Sequence, residues 1–227
     1  MLAFDTSTDW LSVAALDGRA VHMHTERAAH ANSERILPAI DAVLAEAGWR
    51  LADLDGIAFG AGPGTFTGVR IACGVAQGLS LGTDLPVVPV PTLMALAQDA
   101  WRERQAKRVF ACLDARMREV YVAFHVREAD AWREVGEARV LPPADVVPPA
   151  GEWQGAGDGF AAYAALGRLP SVTDVDELAF PTARGVGEIA LPWLAQGRGV
   201  PADRVQPIYV RHRVALTTAE RASGLAL

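Results

Sequence analysis

The sequence passes twice through one order of elements, and that repetition restricts the fold more than any local motif does. Short alternating or apolar segments at 2–6, 11–17 and 20–26 predict three successive strands, with Asp17-Gly18 as the hairpin turn between the last two. A helix over 33–47 follows, because Ile36, Ile40, Val43, Leu44 and Ala47 share one face and Gly48 stops it. Next come a strand at 55–60, a helix at 67–82, a strand at 87–90 and a helix at 91–104 opened by Pro91. After Lys107 the order begins again, with strands near 108–114, 118–126 and 132–140. A short helix at 143–147, a strand at 153–157, a helix at 159–167, a strand at 171–175 and a helix at 182–197 complete the second pass. A duplicated βββαβα unit predicts an α/β fold of two lobes, 1–106 and 107–213. A tail at 214–227 contains Thr217-Thr218-Ala219-Glu220. Mixed sheets covered by helices place the natural ligand site in the cleft between the lobes.

The bulk properties set limits on function. With 227 residues, 51% of them hydrophobic and 21% charged, the chain has enough apolar mass for real cores. The N-terminus has no basic leader region, and no apolar run reaches the roughly 20 residues that span a bilayer, so a cytoplasmic protein without a membrane role is expected. A formal charge of −6 argues against binding nucleic acid alone, which needs a basic footprint. Any nucleic-acid role has to be shared with a partner. Cys73 and Cys112 have no metal-ligand neighbours at useful spacing and read as buried hydrophobes, so neither metal nor cofactor is expected.

The richest local motif is Gly62-Pro63-Gly64-Thr65-Phe66-Thr67-Gly68-Val69-Arg70, which joins an apolar strand to a helix of small residues. Gly62, Gly64 and Gly68 can take backbone angles closed to other residues, and the helix start offers N–H groups to an anion. It is not the G-x-x-x-x-G-K-[ST] loop, and Lys107 is the chain's one lysine, so no lysine clamps a phosphate there. Gly78-Leu79-Ser80-Leu81-Gly82 fits G-x-S-x-G, yet Ser80 ends a helix rather than topping a strand-to-helix turn, which rejects a nucleophile elbow. Gly155-Ala156-Gly157-Asp158-Gly159 reads either as a nucleotide contact or as a simple connection. His22 and His24 share a strand face without a third ligand, His30 reads as a capping or interface residue, and His125 and His212 stand alone. Asn32-Ser33-Glu34 offers a side-chain cap to the helix at 33–47, which carries Pro38 early. Gly74 and Gly78, beside Ala72 and Ala76, give the next helix a smooth ridge for close helix approach.

Phe4-Asp5-Thr6-Ser7-Thr8-Asp9, the stretch from Gly62 to Arg70, Asp114-Ala115-Arg116 with Glu119-Val120-Tyr121, and Pro207-Ile208-Tyr209-Val210-Arg211 together resemble the TsaB family, also called YeaZ. These are bacterial tRNA threonylcarbamoyladenosine biosynthesis proteins, and the resemblance covers almost the whole chain. It implies the actin-like, sugar-kinase-like (ASKHA) ATPase fold. It implies a non-catalytic subunit whose partner TsaD, with the ATPase TsaE, transfers a threonylcarbamoyl group from its adenylate to N6 of adenosine 37. The tRNAs concerned read codons beginning with A, and tRNA is met only within the complex. The resemblance further implies association through the first two helices, with TsaD as a heterodimer or with a second copy as a homodimer. On that basis His30, Ser33, Glu34, Arg35, Leu37, Arg70, Gly74, Gln77 and Gly78 are expected at a partner interface.

TsaD-like proteins carry His-x-x-x-His in a Pro-Val-x-His-x-Glu-Gly-His context on the next helix. Setting Pro89-Val90 against that context puts Thr92 and Leu96 at the histidines and Met94 at the glutamate, so a metal site is not expected. Asp5, Thr6, Ser7, Gly62, Gly64, Thr65, Gly68 and Asp114 are then elements of a degenerate nucleotide site, since neither Asp-bearing hairpin holds a glycine for close phosphate approach. The expectation is a pseudoenzyme with no catalytic residue. The alternative is a stand-alone ATPase or a glycoprotease-like hydrolase.

Overall fold

The computed structural model describes residues 1–210, so Arg211, His212 and the tail expected at 214–227 lie outside the described residues. The first half forms β1 (Leu2–Asp5), β2 (Trp10–Leu16), β3 (Val21–Arg27), α1 (Asn32–Ala47), β4 (Ile57–Gly62), α2 (Phe66–Thr83), β5 (Val87–Pro91) and α3 (Thr92–Arg104). Its sheet has the order β3-β2-β1-β4-β5. The meander β1 to β3 is antiparallel, and β4 and β5 add in parallel. The second half forms β6 (Arg108–Arg116), β7 (Glu119–Glu128), β8 (Ala131–Glu134), β9 (Arg139–Leu141), β10 (Trp153–Ala156), α4 (Gly159–Ala162), β11 (Val172–Asp176) and α5 (Ala183–Ala195). Its order, β11-β10-β6-β7-β8, repeats the first sheet position for position. In both halves the unit runs on through a further strand and helix, β5 and α3 in the first and β11 and α5 in the second.

Departures from the sequence reading cluster in the second half. The strand expected over 132–140 is two strands, β8 and β9, both paired with β7 and separated by Gly136 in the left-handed region at φ +82°. The helix expected over 143–147 is a single 3₁₀ turn, Pro143–Asp145, because Pro148 and Pro149 follow at once, lacking N–H groups and disfavouring helical angles at Val147. The helix expected over 159–167 shrinks to α4 and a 3₁₀ turn at Leu166–Arg168, broken where Tyr163 turns to φ −137°. In the first half the side-chain cap of α1 is absent. The cap position is Ala31, and Asn32 instead buries its side chain with Oδ1 unpartnered among the described residues.

Helix periodicity decides what covers each sheet. Ile36, Ile40, Val43 and Leu44 of α1 and Ala72, Cys73 and Ala76 of α2 pack on one face of the first sheet against Leu2, Phe4 and Phe59. Full burial of each large aliphatic side chain there stabilises the fold by about 1.5–3 kcal/mol. The other face is paved by Ala3, Ala14 and Ala58, small enough for α5 to settle close with Val186 and Ile189. A Cβ on Gly187 would stand 2.6 Å from the Leu16 side-chain methyls, so a larger residue there requires Leu16 to shift. From Thr92 to Ala100, α3 is buried all round, because its flanks meet the second sheet and α5.

A buried polar cluster fixes the two halves to each other. The Asp99 carboxylate of α3 accepts from the Thr182 N–H at 2.8 Å and hydroxyl at 2.7 Å, and pairs with Arg102 at 2.6 Å. Burial pushes its carboxyl up to about 7 against these stabilising contacts. Ser12 of β2 accepts from the Ala183 N–H at 2.9 Å, so the start of α5 is held at two points by the first half.

Candidate functional site

The β1–β2 hairpin turns on its own aspartate. Oδ1 of Asp5 accepts from the Ser7 N–H at 2.8 Å and the Ser7 hydroxyl at 2.7 Å, an Asx-type turn that needs no glycine. Asp5, Thr6 and Ser7 are all buried, and Oδ2 of Asp5 has no partner among the described residues. Burial pushes the Asp5 carboxyl up to about 6 despite the Ser7 hydrogen bonds. A carboxylate meant to hold a metal or orient a phosphate has to reach open space, and this one faces the backbone of Gly60, where a Cβ would stand 1.7 Å from Oδ2.

The glycine turn wraps this hairpin. A Cβ on Gly64 would lie 2.4 Å from the Ser7 carbonyl oxygen, and one on Gly68 would lie 1.9 Å from that of Thr6. The Thr65 N–H donates to the Ser7 carbonyl at 2.7 Å, and the Thr6 hydroxyl donates to the Gly68 carbonyl at 2.7 Å. Of the three glycines expected to need special backbone angles, only Gly62 has a positive φ, at +111°. Gly64 and Gly68 are required for space instead. The concave face of the turn is therefore filled by residues 5–7 of the same chain.

The second hairpin repeats the device across the cleft. Asp114 accepts from the Arg116 N–H at 2.9 Å and its guanidinium at 3.0 Å, while Arg116, Met117 and Arg118 all lie in the left-handed region. Asp158, from the Gly155-to-Gly159 stretch, accepts from the Asp114 N–H at 2.9 Å. Burial raises its pKa, and Asp114 and Asp9 add to the rise. Between Ser7, Asp9, Thr65, Asp114, Arg116 and Asp158 the cleft leaves about 20 Å³, room for one water and not for a phosphoryl group. Asp9 is paired with Arg27 at 3.3 Å and Asp114 with Arg116 at 3.0 Å, so among the described residues the three carboxylates leave no free cation to hold a polyphosphate there. A mostly apolar hollow of about 290 Å³ opens from this space, walled by Gly64, Thr65, Asp114 and Arg116 together with Phe66, Val69 and Met117.

The residues aligned with the metal motif are core and framework. Thr92 is fully buried and its hydroxyl accepts from the Gly62 N–H at 3.0 Å, which ties α3 to the glycine turn. Leu96 and Met94 are buried in apolar clusters. Among the described residues no three His, Cys, Asp or Glu side chains gather in a way that could hold a metal ion. Ser80 is buried within α2 and donates to the Leu85 carbonyl at 2.6 Å, which leaves it no nucleophilic role. Cys73 and Cys112 are buried free thiols, as expected.

The expected interface residues divide into two sets. Ser33, Glu34 and Leu37 lie exposed on the outer side of α1, and Gly74 and Gly78 on that of α2, where an added Cβ would meet nothing within 4 Å. Arg35 and Gln77 face their own chain: Arg35 holds Glu26 of β3 with two bonds of 2.9 and 2.8 Å, and Gln77 donates to the Val205 carbonyl at 3.0 Å. The Arg70 guanidinium lies 3.3 Å over the Phe66 ring and 5.0 Å from that of Tyr209. His30 is exposed in the 3₁₀ turn Ala29–Ala31 ahead of α1. Phe66, 57% exposed, and Leu81, 79% exposed, join the outer side of α2 and were missed. Their signal was helical spacing, since Phe66, Gly74, Gly78 and Leu81 recur at intervals that fall on one stripe.

Comparison with known proteins places this geometry in a family. The family model described as TsaD: tRNA N6-adenosine threonylcarbamoyltransferase matches residues 22–167. The chain is 40% identical to the tRNA threonylcarbamoyladenosine biosynthesis protein TsaB of Escherichia coli (strain K12), over 95% of this chain and 96% of that protein. It is also 40% identical to the TsaB protein of Haemophilus influenzae, over 94% of each. Among solved structures, a Pseudomonas aeruginosa protein described as similar to peptidase YEAZ superposes with a TM-score of 0.87 at 41% identity. That match covers 92% of this chain and 98% of the other.

Proposed function

The chain belongs to the TsaB family, also called YeaZ, and from that premise we propose that it serves tRNA threonylcarbamoyladenosine biosynthesis as a non-catalytic subunit. In this reading it binds TsaD and enables transfer of the threonylcarbamoyl group to adenosine 37, with TsaE completing the set and tRNA met only in the assembled complex. It works in the cytoplasm and forms a homodimer when TsaD is absent. Among the described residues no helix is long and apolar enough to cross a membrane.

The observation that carries the reading is the occupied glycine turn. An ATPase of this architecture needs the turn and the two Asp hairpins to surround phosphates, and here the turn surrounds Thr6 and Ser7. The space among Asp9, Asp114 and Asp158 is about 20 Å³, and the larger hollow that opens from it is mostly apolar. Thr92 and Leu96 at the metal positions remove the other route to chemistry. What is left to act is the outside of α1 and α2, where Leu37 and Leu81 stay exposed beside Gly74 and Gly78. Apolar side chains next to bare backbone form a surface that a partner helix can approach closely.

Reconstitution tests the proposal. Purified TsaD, TsaE, the adenylate and unmodified tRNA form the modified nucleoside, followed by mass spectrometry, only when this chain is added, and the chain alone hydrolyses no ATP above a blank. Modification at full rate without the chain, or ATP turnover by the chain alone that Asp114→Asn abolishes, contradicts it.

A further inference from the structure

A second hollow of about 390 Å³ opens between the lobes and shares Pro63 and the wall of Ile208, Tyr209 and Val210 with the first. That volume is in the range of small-molecule sites. Its apolar lining includes Pro91, Leu93 and Ala123, and its polar lining consists of His125, Glu134 and Glu137. Three features set it apart from a packing fault.

The first is His125, on β7 and in register with Val109 of β6 and Glu134 of β8. The residue is 1% exposed, and its Nδ1 has no hydrogen-bond partner among the described residues. A buried polar atom left unpaired is destabilising, typically by about 1–3 kcal/mol, and natural folds keep few of them. His125 is one of the residues that line the cavity, so a ligand there lies against the imidazole that carries the unpaired group. The Trp132 ring stands edge-on to the imidazole at 6.3 Å, and Trp132 is itself held by Nε1 donating to Gln98 at 2.8 Å. The imidazole is thus held in place before any ligand arrives.

The second is charge. Burial pushes His125 down to about 4, so at neutral pH it is an uncharged donor and acceptor. Burial holds the Glu134 carboxyl above its usual range, and Glu137 adds to the rise. Neither carboxylate meets a lysine or arginine among the lining residues. Adjacent Arg133 is committed to Glu128 at 2.7 Å. Two carboxylates beside low-dielectric walls attract a cation.

The third is shape. The apolar residues suit a short aliphatic stem, whereas a bare metal ion would find no cluster of three ligands here.

We propose that this hollow binds a small organic cation, a primary amine or a guanidinium on an aliphatic stem, with its charge met by Glu134 and Glu137 and an N–H donated to His125. The same chemistry is carried by free diamines and by a lysine or arginine side chain of a partner protein. Nothing in this assignment depends on the tRNA role.

Isothermal titration of the full chain with agmatine, putrescine and Nα-acetyl-arginine methylamide at pH 7.5 tests it, with 1-pentanol as the uncharged control. At least one cation binds saturably with a Kd below about 1 mM, and the alcohol does not. Glu134→Gln with Glu137→Gln weakens that binding by about tenfold or more. These surface changes leave the circular dichroism spectrum unaltered. His125→Phe abolishes binding, and should that variant fail to fold, the two glutamine substitutions decide alone. Tighter binding of the free diamines identifies a free amine as occupant, and tighter binding of the capped arginine identifies a partner's side chain. No saturable binding by any cation, or an affinity that the double glutamine variant leaves within about twofold, overturns the proposal.

Discussion

The two ends of α2 use glycine in opposite ways. At its start, Gly64 and Gly68 have no room for a Cβ, because the Ser7 and Thr6 carbonyls occupy the space at 2.4 and 1.9 Å. Further along, Gly74 and Gly78 face open space with nothing within 4 Å. One pair is explained entirely by the fold, and the other pair has no explanation inside it. Glycine in a helix interior is unfavourable by about 1 kcal/mol relative to alanine, so two exposed ones are unexplained by the stability of the isolated chain. The contrast supports the proposed partner-binding role for the outer side of the helix and a structural role for the glycines at its start.

The largest effect that can break this contrast comes from Gly68→Ala. The added Cβ collides with backbone that cannot move, and urea unfolding is expected to show a loss of about 3 kcal/mol or more, or no folded protein. A stable variant would mean that the hairpin is not seated in the turn.

Asp5→Asn probes the same inner end from the other side. The wild-type carboxyl is raised from 3.8 to about 6 in the fold. Between those values the folded state binds more protons than the unfolded one, so this residue's contribution to stability falls as pH rises from about 4 to 6. Asparagine removes that loss, and at pH 7 the variant should gain up to about 3 kcal/mol, with the excess vanishing below pH 4. Urea titrations at pH 4 and pH 7 check it, and a variant weaker than wild type at pH 7 would return Asp5 to a functional role.

At the outer end, Gly74→Ala and Gly78→Ala should each raise the thermal stability of the isolated chain, by about 1 kcal/mol. A loss instead would show that these glycines serve the monomer.

How much of this was legible in sequence depended on the range of the forces involved. The faces of α1 and α2 followed from periodicity, since Ile36, Ile40 and Val43 repeat at helical spacing. The glycine turn and both Asp hairpins were visible as elements, but what fills the turn was not, because the Thr6-to-Gly68 bond spans 62 residues. Arg35 and Gln77 are exposed, but their hydrogen bonds to Glu26 and to the Val205 carbonyl join distant segments and leave no local signal in the sequence. The second half was read less well, because Gly136 and the Pro148-Pro149 pair interrupt segments whose apolar pattern is otherwise continuous. His125 stood alone in the sequence, and only the β7–β8 register brings it to Glu134.

In the proposed function the outer side of α2 meets TsaD. The most direct test of that contact is the affinity of TsaD, by isothermal titration, for the wild-type chain and for a Gly74→Phe, Gly78→Phe double variant whose melting temperature matches wild type. Filling the bare ridge is expected to weaken binding by about a hundredfold or more. An affinity within about twofold of wild type would contradict the account and move the interface elsewhere.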